Sequence, residues 1–259
     1  MIRSRREAFK WYRDVIRVLV HKELTVRYKN SYLGFLWSLL NPLANALILN
    51  LVFGVVLNFG TQNYLVVLLS CLFPWQWFSN SVGQSPHMFL ANVTLVKQIA
   101  FPRLLIPLVT VLSDMVHFLI SLPIYVVFML VYGLHPEWTW AYGVPILLVI
   151  SACTIYGLSL IFATINMFFR DLGNIVLIML SLLFYATPIM YTVDKMPDNF
   201  RQFLVLNPIA PLFISWRDIL IDNIININYI FISSCYSLVF IVVGILVYHI
   251  FNKRFAEVM

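Results

Sequence analysis

Six apolar runs, at about 33–58, 64–86, 104–132, 141–167, 174–191 and 229–251, fill most of this chain and decide what it can fold into. A helix needs about 20 residues to cross the hydrocarbon of a bilayer, and stretches of that length with few charges are read as membrane spans. Composition agrees: the 259 residues are 61% hydrophobic and 11% charged, where a soluble domain carries about 25% charged residues. The sequence therefore predicts an all-α integral membrane protein with six transmembrane helices in one domain covering 1–259. That domain divides into a surface segment (1–32), a bundle (33–251) and a tail (252–259). The second run is the weakest, because Pro74, Gln76, Asn80 and Gln84 interrupt it.

Charge sets the expected orientation. Of 17 basic residues, nine fall in the first 32 positions: Arg3, Arg5, Arg6, Lys10, Arg13, Arg17, Lys22, Arg27 and Lys29. With both termini inside, Lys97, Arg103, Arg170, Lys253 and Arg254 also lie on the cytoplasmic side, which leaves Lys195, Arg201 and Arg217 outside. The positive-inside rule then gives a multi-pass protein, N-in and C-in. A basic block beside a span is explained by anionic lipid and cytoplasmic placement, so the net charge of +6 does not indicate nucleic acid. Charge persists to Lys29, past where a signal peptide would have its apolar region. Cys71, Cys153 and Cys235 lie inside apolar runs without metal-ligand spacing and read as reduced, lipid-buried thiols.

Residues 8–29 have the pattern of an interfacial helix. Lys10, Arg13, Asp14, Arg17 and His21 share one side, while Trp11, Tyr12, Val15, Ile16, Leu19 and Val20 share the other. Asp14 with Arg17 and Glu23 with Arg27 are spaced to pair along it. Between the fifth and sixth spans, 192–228 is broken by Pro197, Pro208 and Pro211. Its stretch 211–224 starts on proline and sets Ser215, Asp218 and Asp222 on one face, which predicts a short amphipathic or re-entrant helix.

An energy source is missing from the sequence. A phosphate-binding loop needs Gly-Lys-Ser/Thr, and none of the nine glycines precedes a lysine. Any ATPase must be another chain. Asp114 and His117 share one face of the third span, where ionisable side chains are functional candidates. They are read either as a proton relay or as a helix contact in which Asp114 is paired, and the second reading needs fewer assumptions. No residue set reads as catalytic or as a metal site. Trp75, Trp77 and Phe78, with Phe184, Tyr185 and Tyr191, form either interfacial belts or a sugar-compatible lining. Arg27 and Lys29 could bind phospholipid or the phosphates of a substrate.

Several motifs fall in order along the chain: Val26-Arg27-Tyr28-Lys29-Asn30-Ser31-Tyr32-Leu33-Gly34-Phe35-Leu36-Trp37 with Asn41-Pro42, then Phe73-Pro74-Trp75-Gln76-Trp77-Phe78, then Leu95-Val96-Lys97 with Phe101-Pro102-Arg103. Asn166-Met167-Phe168-Phe169-Arg170-Asp171-Leu172, Thr187-Pro188-Ile189-Met190-Tyr191 and Asn207-Pro208 with Pro211 follow. In this order they resemble the permeases of polysaccharide-exporting ABC transporters, which export O-antigen, capsule or teichoic acid. The resemblance implies a homodimer in the bacterial inner membrane, joined to two copies of a separate subunit that binds ATP and Mg. This chain would hold no cofactor and catalyse nothing itself. Its substrate would be a lipid-linked polysaccharide, entering beside Arg27, Lys29, Tyr32, Leu33 and Gly34. Trp37, Trp75, Trp77, Phe78, Phe184, Tyr185 and Tyr191 would line the channel. Trp11, Arg13, Arg17, Val96 and Lys97 would dock the ATPase. Phe168, Phe169, Arg170 and Asp171 would form a cytoplasmic turn, and Pro208, Pro211 and Asp218 an outer gate. A drug or lipid exporter of the same type, a proton-coupled transporter using Asp114 and His117, and a membrane glycosyl- or acyltransferase are the rival readings.

Overall fold

The computed structural model describes residues 5–27, 36–57, 62–93, 102–197, 199, 204 and 206–255, and among these there is helix and no strand. The surface helix α1 (Arg5–Arg27) is followed by α2 (Trp37–Leu49), which widens into a π-helical Asn50–Val56. Next come α3 (Tyr64–Gln84), continued by Ser85–His87 and Met88–Ala91, then α4 (Leu105–Val131), α5 (Thr139–Asn166) and α6 (Leu172–Ala186). A short α7 (Ala210–Arg217) runs into a π-helical Asp218–Asp222, and α8 (Ile227–Phe251) closes the chain. Five described helices are long and apolar enough to cross a bilayer, those over Leu39–Val56, Tyr64–Ala91, Leu105–Val131, Thr139–Asn166 and Ile227–Phe251.

The fifth expected span is shorter than its apolar run. Helix α6 ends at Ala186, because Pro188 excludes the helical conformation at Thr187, whose ψ is 140°. Fifteen residues rise about 22 Å, short of a hydrocarbon layer of about 30 Å. The rest of that run, Thr187 to Tyr191, is a turn that folds back onto α7.

The weakest run in the sequence is the most deeply buried helix. Within α3, 83% of the apolar window is covered by protein, against 11% in α2 and 17% in α8. Trp77 and Ser81 reach neighbouring helices, whereas Gln76 is half-buried and Asn80 and Gln84 are exposed. Trp77 donates from Nε1 to the carbonyl of Val111 at 3.1 Å, and the Ser81 hydroxyl reaches Asp114. The helix expected at 211–224 as amphipathic or re-entrant is buried over all of α7, a plug in the bundle, while beyond it Asp218 is half-buried and Asp222 exposed. Trp216, fully buried, donates to the Ser151 hydroxyl at 3.1 Å, and Phe213 packs on Trp75 and Phe78.

Helices α5 and α8 touch backbone to backbone. A Cβ on Gly157 would lie 2.5 Å from the Phe240 carbonyl carbon, and one on Gly244 would lie 2.6 Å from the Gly157 oxygen. Small residues at such a crossing let dispersion contacts and weak hydrogen bonds act where no hydrophobic drive exists between helices. At the end of the molecule that holds the C-termini of α3, α5 and α8, a second core gathers Phe89, Ile106, Met167, Tyr248 and Phe255. Arg103 lies over the Phe255 ring, 5.6 Å from its centroid, and donates to the Asn252 carbonyl.

Candidate functional site

The C-terminal end of α1 is fastened to the bundle by charge. Arg27 donates from Nη1 to Asp114 Oδ1 at 2.5 Å and from Nη2 to Glu23 Oε1 at 3.3 Å, with Gln84 Oε1 at 3.5 Å. Ser81 Oγ donates to the other Asp114 oxygen at 2.6 Å, and Thr110 Oγ1 to Glu23 Oε2 at 3.4 Å. Both Asp114 oxygens are therefore used, which is how a carboxylate at 2% exposure is tolerated. Burial raises the Glu23 pKa, while Arg27 lowers it. Asp114 is paired across helices, as the helix-contact reading expected.

Two spaces flank this pair. One, of about 580 Å³, lies under α1 and is bounded by Lys22, Arg27, Gln84 and His87 with the aliphatic Leu19, Val26, Met88 and Val109. The other, of about 230 Å³, is a groove between α2, α3 and α4 that holds Trp37, Gln76, Asn80, Asp114, His117 and Ser121. Arg27 borders both. Among the described residues no group of three or more His, Cys, Asp or Glu is gathered to hold a metal ion.

The sequence-derived site residues divide sharply on this frame. Lys29, Tyr32, Leu33, Gly34, Val96 and Lys97 lie outside the described residues. Trp37 is exposed at the start of α2, and Tyr185 is exposed on α6. Trp75, Trp77 and Phe78, expected to line the channel, are 6%, 2% and 1% exposed and pack into the subunit's own core, with Trp77 also at the wall of the groove. Phe184 packs on Trp75 at 5.5 Å between centroids, and Tyr191 donates its hydroxyl to the Tyr185 carbonyl at 3.3 Å. On α1, Arg13 and Arg17 are exposed and Trp11 is half-buried; Asp14 pairs with Arg13 at 3.1 Å instead of the expected Arg17. Phe168, Phe169, Arg170 and Asp171 form the exposed turn between α5 and α6, with Phe168 against Phe251.

At the opposite end, Pro211 sits in the first turn of α7 and Pro208 in the turn before it. Nothing in the residue pattern hints at the role of Arg217. This side chain is 5% exposed and donates to three main-chain carbonyls, those of Tyr191 (3.0 Å), Ile189 (3.0 Å) and Pro188 (2.5 Å). It clamps the turn after α6 to the plug. Arg217→Met is expected to lower stability by about 2–4 kcal/mol, seen as a fall in Tm of the detergent-solubilised protein. Asp218, beside it, has its pKa pushed up to about 6, first by burial and then by Asp222, with Arg217 opposing and Asp194 adding. The native state thus holds this proton more tightly than the unfolded chain. Its contribution is fully present below the unfolded pKa of 3.8 and is lost as pH rises through about 6. Stability should fall by on the order of 1 kcal/mol between those limits after solvent screening, and Asp218→Asn should flatten that part of a Tm-versus-pH curve.

A bundle of apolar helices with a charged surface helix fastened to its third span, and a buried plug at the far end, defines a polytopic membrane protein. Residues 14–221 match the ABC-2 type transporter family, and the chain belongs to it. It is 40% identical over 246 residues to an O-antigen export system permease protein RfbA of Klebsiella pneumoniae, covering 95% of each chain. It is 35% identical to the RfbA permease of Myxococcus xanthus over 86% of each. Against the polysialic acid transport protein KpsM of Escherichia coli, identity is 25% over 94% of this chain and 95% of that protein.

Proposed function

We propose that this chain is the membrane-spanning subunit of an ATP-driven exporter that carries a lipid-linked polysaccharide out of the cytoplasm across the bacterial inner membrane. The observation that carries this is the similarity, over nearly the full length of both chains, to permeases named for O-antigen export. The similarity to a polysialic acid transport protein extends the same chemistry to a capsule-type glycan. The polysaccharide names of these relatives favour this over the drug or lipid exporter. The pairing of Asp114 with Arg27 and Ser81 weighs against the proton-coupled alternative.

In this reading two copies of the chain form a homodimer, N-in and C-in, and each binds one ATP-hydrolysing subunit that supplies ATP and Mg. The exposed Arg13 and Arg17 on α1, with Trp11, Val96 and Lys97, dock that subunit. Arg27, Lys29 and the Tyr32-Leu33-Gly34 segment border the cytoplasmic entrance. Trp37, Phe184, Tyr185 and Tyr191 remain candidates for the glycan path, while Pro208, Pro211 and Asp218 belong to the outer gate. The subunit moves its substrate and makes or breaks no covalent bond.

Deleting the gene in its native host tests this. Cells are expected to lose surface polysaccharide and to accumulate the lipid-linked glycan inside, with both defects reversed by the wild-type chain. Unchanged surface polysaccharide in the deletion would overturn the reading.

A further inference from the structure

The lipid, phosphate and sugar of a lipid-linked glycan are joined in a fixed order, and the two spaces around Arg27 have the chemistry of that order. The space under α1 is lined by Lys22 and Arg27, by Glu23 paired to Arg27, and by the aliphatic Leu19, Val26, Met88 and Val109, a combination of two cations and apolar surface that suits an anionic amphiphile whose charge outweighs the one carboxylate. The groove beyond it offers amides at Gln76 and Asn80, the His117 ring and the exposed face of Trp37. Such groups pair with hydroxyls and stack on sugar rings rather than shelter a hydrocarbon tail. The Arg27–Asp114 pair stands where the two spaces meet.

We propose that this pair is a latch opened by phosphate. A pyrophosphate-bearing amphiphile in the first space takes Arg27 away from Asp114, which connects that space to the groove where the first sugars then lie. This deepens, and rests on, the export reading above. The physical argument is competition for one guanidinium. Asp114 is buried, so withdrawing its cation is costly and the latch stays shut when no anion is present. A pyrophosphate brings more charge than a carboxylate, accepts the guanidinium fork through two oxygens, and gains Lys22 as well. The Ser81 hydroxyl, 2.6 Å from Oδ2, stays on the released carboxylate. A neutral lipid tail or a free glycan has nothing to offer Arg27 and leaves the pair closed.

The test is direct binding of geranylgeranyl pyrophosphate to the purified full-length chain, beside geranylgeraniol, inorganic pyrophosphate and phosphatidylglycerol nanodiscs. Removing the competitor with Asp114→Asn is expected to tighten binding of the prenyl pyrophosphate by about tenfold or more. The swapped pair Arg27→Asp/Asp114→Arg, which restores the bridge, is expected to assemble and to lose that binding. If Asp114→Asn does not assemble, a thiol reporter decides: Ser121→Cys, in the groove, should react faster with a polar maleimide once the prenyl pyrophosphate is bound. Inorganic pyrophosphate or phosphatidylglycerol acting equally well supports the latch and changes only the source of its phosphate. Equal binding of geranylgeraniol, unaltered affinity in Asp114→Asn, or a Ser121→Cys rate indifferent to ligand overturns it. Glycan export that persists with no such response sinks the latch alone. A full response in a chain whose deletion leaves surface glycan intact sinks the export reading alone.

Discussion

Arg27→Ala is expected to destabilise the folded chain by about 3–5 kcal/mol and to release α1 from α4, because it leaves Asp114 buried at 2% exposure with no cation against it. Thermal unfolding in detergent should show a large fall in Tm, and limited proteolysis should cut within α1 in the variant before it does in the wild type. Replacing both partners by apolar residues of similar size, Arg27→Met with Asp114→Leu, should recover most of the lost stability, because no orphaned charge remains. The double variant separates folding from function: it should assemble, and under the latch proposal it should not transport. A loss below about 1 kcal/mol in Arg27→Ala would mean the pair is solvated and structurally idle.

Gly157→Val should be as damaging by a different route. Its side chain would grow into the Phe240–Ile241 backbone, where even a Cβ lies at 2.5–2.6 Å, and backbone cannot step aside as a side-chain tip can. Helices α5 and α8 would have to part along their whole crossing, which opens their close packing at a cost of about 3 kcal/mol. Reduced yield and a broadened size-exclusion profile should follow. Gly83→Ala is the matched control: its Cβ would meet only Leu180 and Leu177 side chains, at 3.4 and 3.7 Å, and should leave both readouts near wild type.

The spans were legible in the sequence because lipid selects for length and apolarity, which need no knowledge of neighbours. Where a neighbour decides, the sequence misled. The polar Gln76, Asn80 and Gln84 made α3 look like a poor span, yet it is central: Gln76 donates to Asn80, and Gln84 accepts from Arg27. Trp75, Trp77 and Phe78 looked like a lining because aromatic residues suit sugars, but the same residues suit a core, and only burial separates the two uses. The serine and aspartates of 211–224 suggest an amphipathic or re-entrant helix; α7 buries Ser215 with the rest of its side chains, while Asp218 is half-buried and Asp222 exposed beyond its end. The Glu23–Arg27 spacing was readable, being local, whereas Arg27 meets Asp114 across 87 positions, beyond any periodicity. In the sequence Arg217 is only an external charge; its partners are backbone carbonyls, which carry no signature in side-chain sequence.

The central claim, that this chain forms the path of an ATP-driven polysaccharide exporter, is tested most directly by reconstitution. The chain and its ATP-binding partner would be co-purified, placed in proteoliposomes, and supplied with lipid-linked glycan and ATP at the face corresponding to the cytoplasm. Glycan should become accessible on the opposite face only with ATP and only with both subunits present. Glycan translocation by this chain alone, or with ATP omitted, would contradict the account.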